Sequence, residues 1–203
     1  MIDFYSYGTF NGKAVAIALE ELDIEYNVVV VDLMQGAQKQ PKFLRLNPSG
    51  RIPVIVDLSI TPPIVVSQTG TILIYLAEKS RQLLPDEPRI KAQVLEWLLF
   101  QLTDISTNVF NHFFLKCLVS PKHPEAATVL QQRAIDFYQL FERQLADQQY
   151  LVGEQLSIAD IAAFPVVDAL KVYLLNERFP NVKQWFDMLS ERESFKVGMN
   201  HAQ

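Results

Sequence analysis

A chain of 203 residues with 49% hydrophobic side chains carries enough apolar volume for one large core or two modest ones. A net charge of −5, spread in ones and twos, speaks against nucleic acid as a partner, because a polyanion binder ordinarily needs a basic face to displace counterions. No apolar run reaches the about 18 residues of a membrane-spanning helix, and Met1 to Phe10 lack a basic stretch followed by an apolar core, so a cytosolic chain with no membrane contact is expected.

Residues 1–79 alternate β-rich runs with helical patterns. Ile2 to Ser6 reads as a first strand, and Val15, Ala18, Leu19 and Leu22 recur at the spacing of a helix with one buried face. Glu25 to Val31 is a second strand, parallel to the first through that crossover helix. A short helix is expected around Gln38 to Leu46, ended by Asn47-Pro48 and the turn residues Ser49-Gly50. Pro53 to Asp57 and Ile64 to Val66 form a hairpin-like pair, and a helix from Gln68 to about Lys79 turns Ile72, Leu73 and Leu76 inward. This order is that of a thioredoxin-like α/β domain over residues 1–80. The prolines and charges of residues 81–88 read as a linker, and residues 89–203 as an all-helical domain.

In that second part Leu95, Leu98, Leu99, Leu102 and Ile105 form one helical stripe, and Leu130, Ala134, Phe137, Tyr138, Phe141 and Leu145 another. Ser157-Ile158-Ala159-Asp160 is a variant capping box ahead of the apolar run Ile161 to Val167, a buried helix that contains Pro165. A last helix carries Val182, Trp185, Phe186 and Leu189 behind Pro180.

Cys117 is the single cysteine and is expected to be buried like an apolar residue. It allows neither an intramolecular disulfide nor a Cys-x-x-Cys pair, so any thiol chemistry must use a bound thiol. His112, His123 and His201 show no ligand spacing, and no metal is expected.

Four stretches of the first domain would meet at the carboxyl ends of its strands, where open α/β sheets usually bind ligands. Thr9 and Asn11 open the first helix, where a hydroxyl, an amide and the helix N-terminus can all favour an anion. A thiol of pKa about 8.5 is only about 3% ionised at pH 7, and lowering that value by about two units requires roughly 2.7 kcal/mol. One hydrogen bond to a charged group and a helix end together reach that amount. The same residues serve equally as a simple cap, and Tyr7, at the end of the first strand, is a rival sulfur contact. The second stretch is Arg51-Ile52-Pro53. A cis bond before Pro53 would present the main chain of Ile52 to a peptide ligand, while a trans bond is the general rule. Gln68 and Thr69 begin a helix whose free N–H groups can hold a carboxylate, unless Ser67 caps it. Gln38, beside Lys39 and Lys42, is a further polar candidate.

Taken in order, Asn47-Pro-Ser-Gly-Arg-Ile-Pro-Val-Ile-Val-Asp, Ser67-Gln-Thr-Gly-Thr-Ile-Leu-Ile-Tyr-Leu-Ala-Glu-Lys and Leu151-Val-Gly-Glu-Gln-Leu-Ser-Ile-Ala-Asp-Ile-Ala resemble the signature segments of the cytosolic glutathione transferase superfamily. Thr9-x-Asn11-Gly12 and the segment Gln38 to Pro53 are most similar to the bacterial nu class, of the disulfide-bond oxidoreductase type, and to the related yeast nitrogen-regulatory prion protein. The resemblance implies a cis Pro53 and glutathione as cosubstrate. It places Thr9 and Asn11 at the sulfur, Gln38 and Arg51 at the glycyl end, Ile52 against the cysteinyl main chain, and Gln68-Thr69 at the γ-glutamyl group. It further implies a homodimer that conjugates electrophiles or reduces disulfides and peroxides. Arg133 is an approximate counterpart of an arginine that meets a second glutathione in the nu class. A non-catalytic binding or regulatory protein and a glutathione-dependent isomerase or dehalogenase are the alternatives.

Overall fold

The computed structural model describes residues 1–201; Ala202 and Gln203, the end of the expected helical domain, lie outside the described residues. The chain divides into two compact units, one of residues 1–85 with 189–201 and one of residues 86–188.

In the first unit, β1 (Ile2–Ser6) pairs in parallel with β2 (Tyr26–Val30) after the crossover helix α1 (Phe10–Glu21). A 3-10 turn (Ala37–Lys39) and the one-turn helix α2 (Pro41–Leu44) stand where the sequence pattern predicts a single helix, because Pro41 has no N–H to continue the first turn and is suited to open a new one. Next come β3 (Val54–Asp57), β4 (Ile64–Ser67) and α3 (Thr69–Ser80). The sheet order is β2-β1-β3-β4, with β3 antiparallel to both neighbours. Ile2, Phe4 and Ser6 alternate inward on β1, and Ile17 and Leu19 of α1 and Ile72, Leu73 and Leu76 of α3 are fully buried.

Asp57 closes β3 onto α3. Its buried carboxylate accepts from the Tyr75 hydroxyl (2.7 Å), from Ser59 N and Oγ (2.9 and 2.7 Å), and pairs with Lys79 (2.8 Å). Burial alone would raise its pKa, but these donors outweigh burial and hold the group well below the ordinary carboxylate range.

The sequence places the end of the chain in the helical domain, whereas in the structure residues 189–201 belong to the first unit. There α10 (Glu193–Met199) lies across α1. The approach is so close that a Cβ on Gly198 would sit 2.6 Å from the Ile17 nitrogen. Arg192 and Ser194 both donate to the Glu21 carboxylate on α1.

Past α10, the His201 ring lies flat on Phe4, with centroids 4.8 Å apart. It is 8% exposed, and its Nε2 has no partner among the described residues. Burial lowers its pKa from 6.5, opposed by the Glu20 carboxylate. The unfolded chain therefore binds this proton more readily than the folded one. The penalty is absent above the ordinary value of 6.5 and grows as pH falls through it toward the folded value. The urea midpoint of the native protein is expected to drop between about pH 7 and pH 5, with a shallower drop in His201→Phe. Equal pH slopes in the two proteins would refute this.

The second unit opens with α4 (Pro88–Leu99), which runs through a π turn (Phe100–Ile105) into α5 (Ser106–Phe113) and a second π turn (Phe114–Leu118). Of the expected stripe, Leu98 and Ile105 are buried and Leu95 and Leu102 half-buried, but Leu99 is 53% exposed, while Val94 and Gln101, outside that stripe, are buried. The buried Gln101 amide nitrogen donates to Ser106 Oγ at 3.1 Å, while its Oε1 has no partner among the described residues. Cys117 is exposed, contrary to the buried position expected for it, because the π turn that carries it has no buried residue.

The helix α6 (Pro124–Gln144) buries Ala134, Tyr138 and Phe141. The central α7 (Ile158–Ala169) is buried continuously from Ile158 to Val167 and runs unbroken through Pro165. After α8 (Lys171–Leu174), α9 (Pro180–Ser190) starts with Glu142 of α6 accepting from the N–H groups of Asn181 and Val182. Asp160, on the first turn of α7, is wholly buried and accepts four hydrogen bonds. Leu151 N (2.9 Å) and Trp185 Nε1 (3.0 Å) reach Oδ1, while Ser157 N (3.0 Å) and Ser157 Oγ (2.8 Å) reach Oδ2.

Candidate functional site

Strand pairing brings the sequence candidates of the first unit to one end of the sheet. Tyr5 pairs with Val54, and Val54 with Ser67, so the residues after β1, before β3 and after β4 are neighbours. β1, β2 and β4 offer their carboxyl ends there. β3 runs the other way and offers its amino end, a correction to the expectation that all four stretches sit at carboxyl ends. Gln38 and Lys39 join them from the loop after β2: a Cβ on Gly50 would sit 3.0 Å from the Gln38 carbonyl oxygen and 2.8 Å from Lys39 Nζ.

Thr9 is the N-cap of α1, and its Oγ1 accepts from Gly12 N at 3.1 Å. That bond uses a lone pair of the hydroxyl and leaves its proton free, so capping and donation to an anion are compatible. The turn is tight because residue 12 has no side chain, since a Cβ there would sit 2.4 Å from Ser6 Oγ and 2.5 Å from the Tyr7 carbonyl. Asn11 is half-buried in the first helical turn, and its amide has no partner among the described residues. The main-chain N–H groups of Phe10 and Asn11 are likewise open. Tyr7 lies beside them, its carbonyl accepting from Thr9 N at 2.6 Å.

The Ile52–Pro53 peptide bond is cis. Neither the N–H nor the C=O of Ile52 is hydrogen-bonded among the described residues, and Arg51 is exposed. Pro53 is buried. Gln68, not Ser67, is the N-cap of α3; it makes no side-chain cap and sits at φ 73°, ψ 124°. A non-glycine residue pays about 1–3 kcal/mol for such a backbone, and such strain concentrates at binding sites. Three main-chain N–H groups, of Thr69, Gly70 and Thr71, point out of the helix start without partners among the described residues. Gln38 keeps Oε1 buried and unpartnered, a hydrogen-bonding position left open. The open N–H groups at the two helix starts and the free edge of Ile52 suit a small extended peptide with a carboxylate and an anionic atom.

Asn47 and the backbone of Gln68 are the features the sequence reading passed over. Asn-Pro reads as a helix stop, and nothing in the sequence signals a positive φ at a glutamine.

Residues 2–78 match the glutathione S-transferase N-terminal domain, and residues 107–193 its C-terminal domain. The chain belongs to the glutathione transferase family. The disulfide-bond oxidoreductase YfcG of Escherichia coli is 33% identical over 207 residues, covering 100% of this chain and 96% of its own length. A glutathione transferase homologue from Lodderomyces elongisporus, solved with two glutathione molecules per subunit, superposes with a TM-score of 0.91 at 28% identity, covering 98% and 97% of the two chains. A glutathione transferase from Pseudomonas putida with glutathione disulfide bound does so at 0.89 and 29%, covering 100% and 92%. As a glutathione transferase the chain has the fold read from its sequence, a thioredoxin-like α/β unit followed by an all-helical one. Among the described residues no helix is long and apolar enough to cross a membrane, and no cluster of metal-binding side chains occurs.

Proposed function

We propose that this glutathione transferase binds glutathione along the strand ends of its first unit, ionises the thiol at Thr9 and Asn11, and uses the thiolate to reduce small disulfides. The observation that carries the reading is the convergence of two helix starts with open N–H groups on the open main chain of Ile52, with a free hydroxyl proton and a free amide at the first of them. In this reading the α3 start, with Gln68 and Thr69, receives the γ-glutamyl carboxylate. Ile52, ahead of Pro53, pairs with the cysteinyl main chain, and Gln38 and Arg51 meet the glycyl carboxylate. The sulfur then lies at the α1 start, where about 2.7 kcal/mol of preferential anion stabilisation lowers a thiol pKa by about two units.

The thiolate attacks one sulfur of the disulfide, forming a mixed disulfide and expelling the other half as a thiolate that takes up a proton. A second glutathione, as thiolate, attacks the glutathionyl sulfur and leaves glutathione disulfide and the second thiol. The likeness to a disulfide-bond oxidoreductase and to structures holding two glutathiones or their disulfide supports this reaction over conjugation. Cys117, alone and exposed, has no partner thiol for an internal relay. Peroxides and electrophilic carbons are secondary acceptors of the same thiolate, and the working form is a cytosolic homodimer.

Parallel assays with hydroxyethyl disulfide, an organic peroxide and an aryl halide, each with reduced glutathione, test the proposal. Disulfide turnover is expected to exceed the other two. Tight glutathione binding without turnover of any of them would favour the non-catalytic binding role.

A further inference from the structure

The turn before Ile52 holds a buried side chain that the proposed function does not yet use. Asn47 is 6% exposed. Its Oδ1 accepts from both the N–H (3.2 Å) and the hydroxyl (2.8 Å) of Ser49, and its Nδ2 donates to the Arg51 carbonyl at 2.7 Å. Two donors on one edge fix which way the amide faces, so the NH2 group must point at Arg51.

The Arg51 carbonyl and the Ile52 N–H are opposite edges of one rigid peptide plane. That bond is trans, so its C=O and N–H point in opposite directions. Fixing the carbonyl therefore fixes the aim of the N–H. The Ile52 N–H is left facing away from Asn47, unpartnered among the described residues. Gly50, at φ 61°, supplies the left-handed residue between Ser49 and Arg51 that lets the chain close this loop, with its N–H on the Asn47 carbonyl at 2.9 Å.

We infer that Asn47 is a positioning residue for glutathione: by holding the Arg51 carbonyl it aims the Ile52 N–H at the carbonyl of the ligand's cysteinyl residue. The inference rests on the proposed function, since it needs the tripeptide main chain to lie along Ile52. A free Arg51–Ile52 plane can swing, and the ligand must then stop that motion when it binds.

The test measures dissociation constants of glutathione and of its alkene isostere, in which the Cys–Gly amide is replaced by a carbon–carbon double bond and the acceptor is gone. Asn47→Ala removes the whole clamp. Asn47→Asp keeps the acceptor for Ser49 and removes only the donor to Arg51, which guards against a variant that fails to fold. In the native protein the isostere is expected to bind about fivefold more weakly than glutathione, the usual effect of one hydrogen bond. Both variants are expected to weaken glutathione about fivefold, to the level of the isostere, while changing isostere binding less than about twofold, because the contact is already lost. Equal losses for the two ligands would make Asn47 a general support of the fold and overturn the inference, as would no loss at all. A native protein that binds neither ligand would overturn the proposed function instead.

Discussion

Thr9→Ala is expected to lower kcat/KM for glutathione-dependent turnover about 30-fold at pH 7, with Thr9→Ser near the native rate. A hydrogen bond from the hydroxyl to a sulfur anion is worth about 1.5–3 kcal/mol, or roughly one to two pKa units of the bound thiol. Losing it leaves correspondingly less thiolate near neutral pH. The substitution also removes the cap on Gly12 N, an effect of about 1 kcal/mol on stability. Serine restores both the cap and the donor, and so separates catalysis from folding. The loss should shrink as pH rises, because at high pH the thiol ionises without help. Tyr7→Phe keeps the main-chain carbonyl that Thr9 uses and deletes only the phenol, so it is expected to retain most activity. If Tyr7→Phe abolished turnover while Thr9→Ala preserved it, the sulfur contact would be the phenol.

The largest loss of stability is expected from Asp160→Ala, about 4 kcal/mol by urea unfolding of the intact protein. The carboxylate satisfies two main-chain N–H groups, the Trp185 indole and the Ser157 hydroxyl at once, and all four donors are buried with it. Burial pushes the pKa of this carboxyl up, while the donors pull it back. Removing one acceptor strands several donors, each at about 1–3 kcal/mol before relaxation or water entry reduces the sum. Asp160→Asn, which keeps one acceptor oxygen, should cost less. A loss below about 1 kcal/mol in Asp160→Ala would mean that water replaces the carboxylate and that the capping box contributes little.

Much of this architecture is legible in the sequence. The βαβ start, the hairpin and α3 follow from apolar spacing and turn residues, and the capping box from a serine three places before an acid. The candidate site was legible as types of residue at strand ends, because helix starts and prolines mark those ends. Tertiary partners were not. Ala14 to Leu19 are buried all round, which a helix lying only on a sheet does not need. That run is explained by α10 packing on it as well, a partner some 180 residues later in the chain that no local pattern announces. Leu99 and Gln101 exchange the places hydropathy would give them, and the contact between Gln101 and Ser106 is one no local pattern announces. The role of Asn47 depends on a peptide plane four residues away, which periodicity cannot report.

Ionisation of the bound thiol by neutral donors at the start of α1 is the step on which the proposed activity depends. Titrating the ultraviolet absorbance of the thiolate in the glutathione complex measures this directly. An apparent thiol pKa of about 6.5 is expected in the native complex, rising by at least one unit in Thr9→Ala with Asn11→Ala. A native complex that titrates at the value of free glutathione, or a double variant that leaves the pKa unmoved, would contradict it.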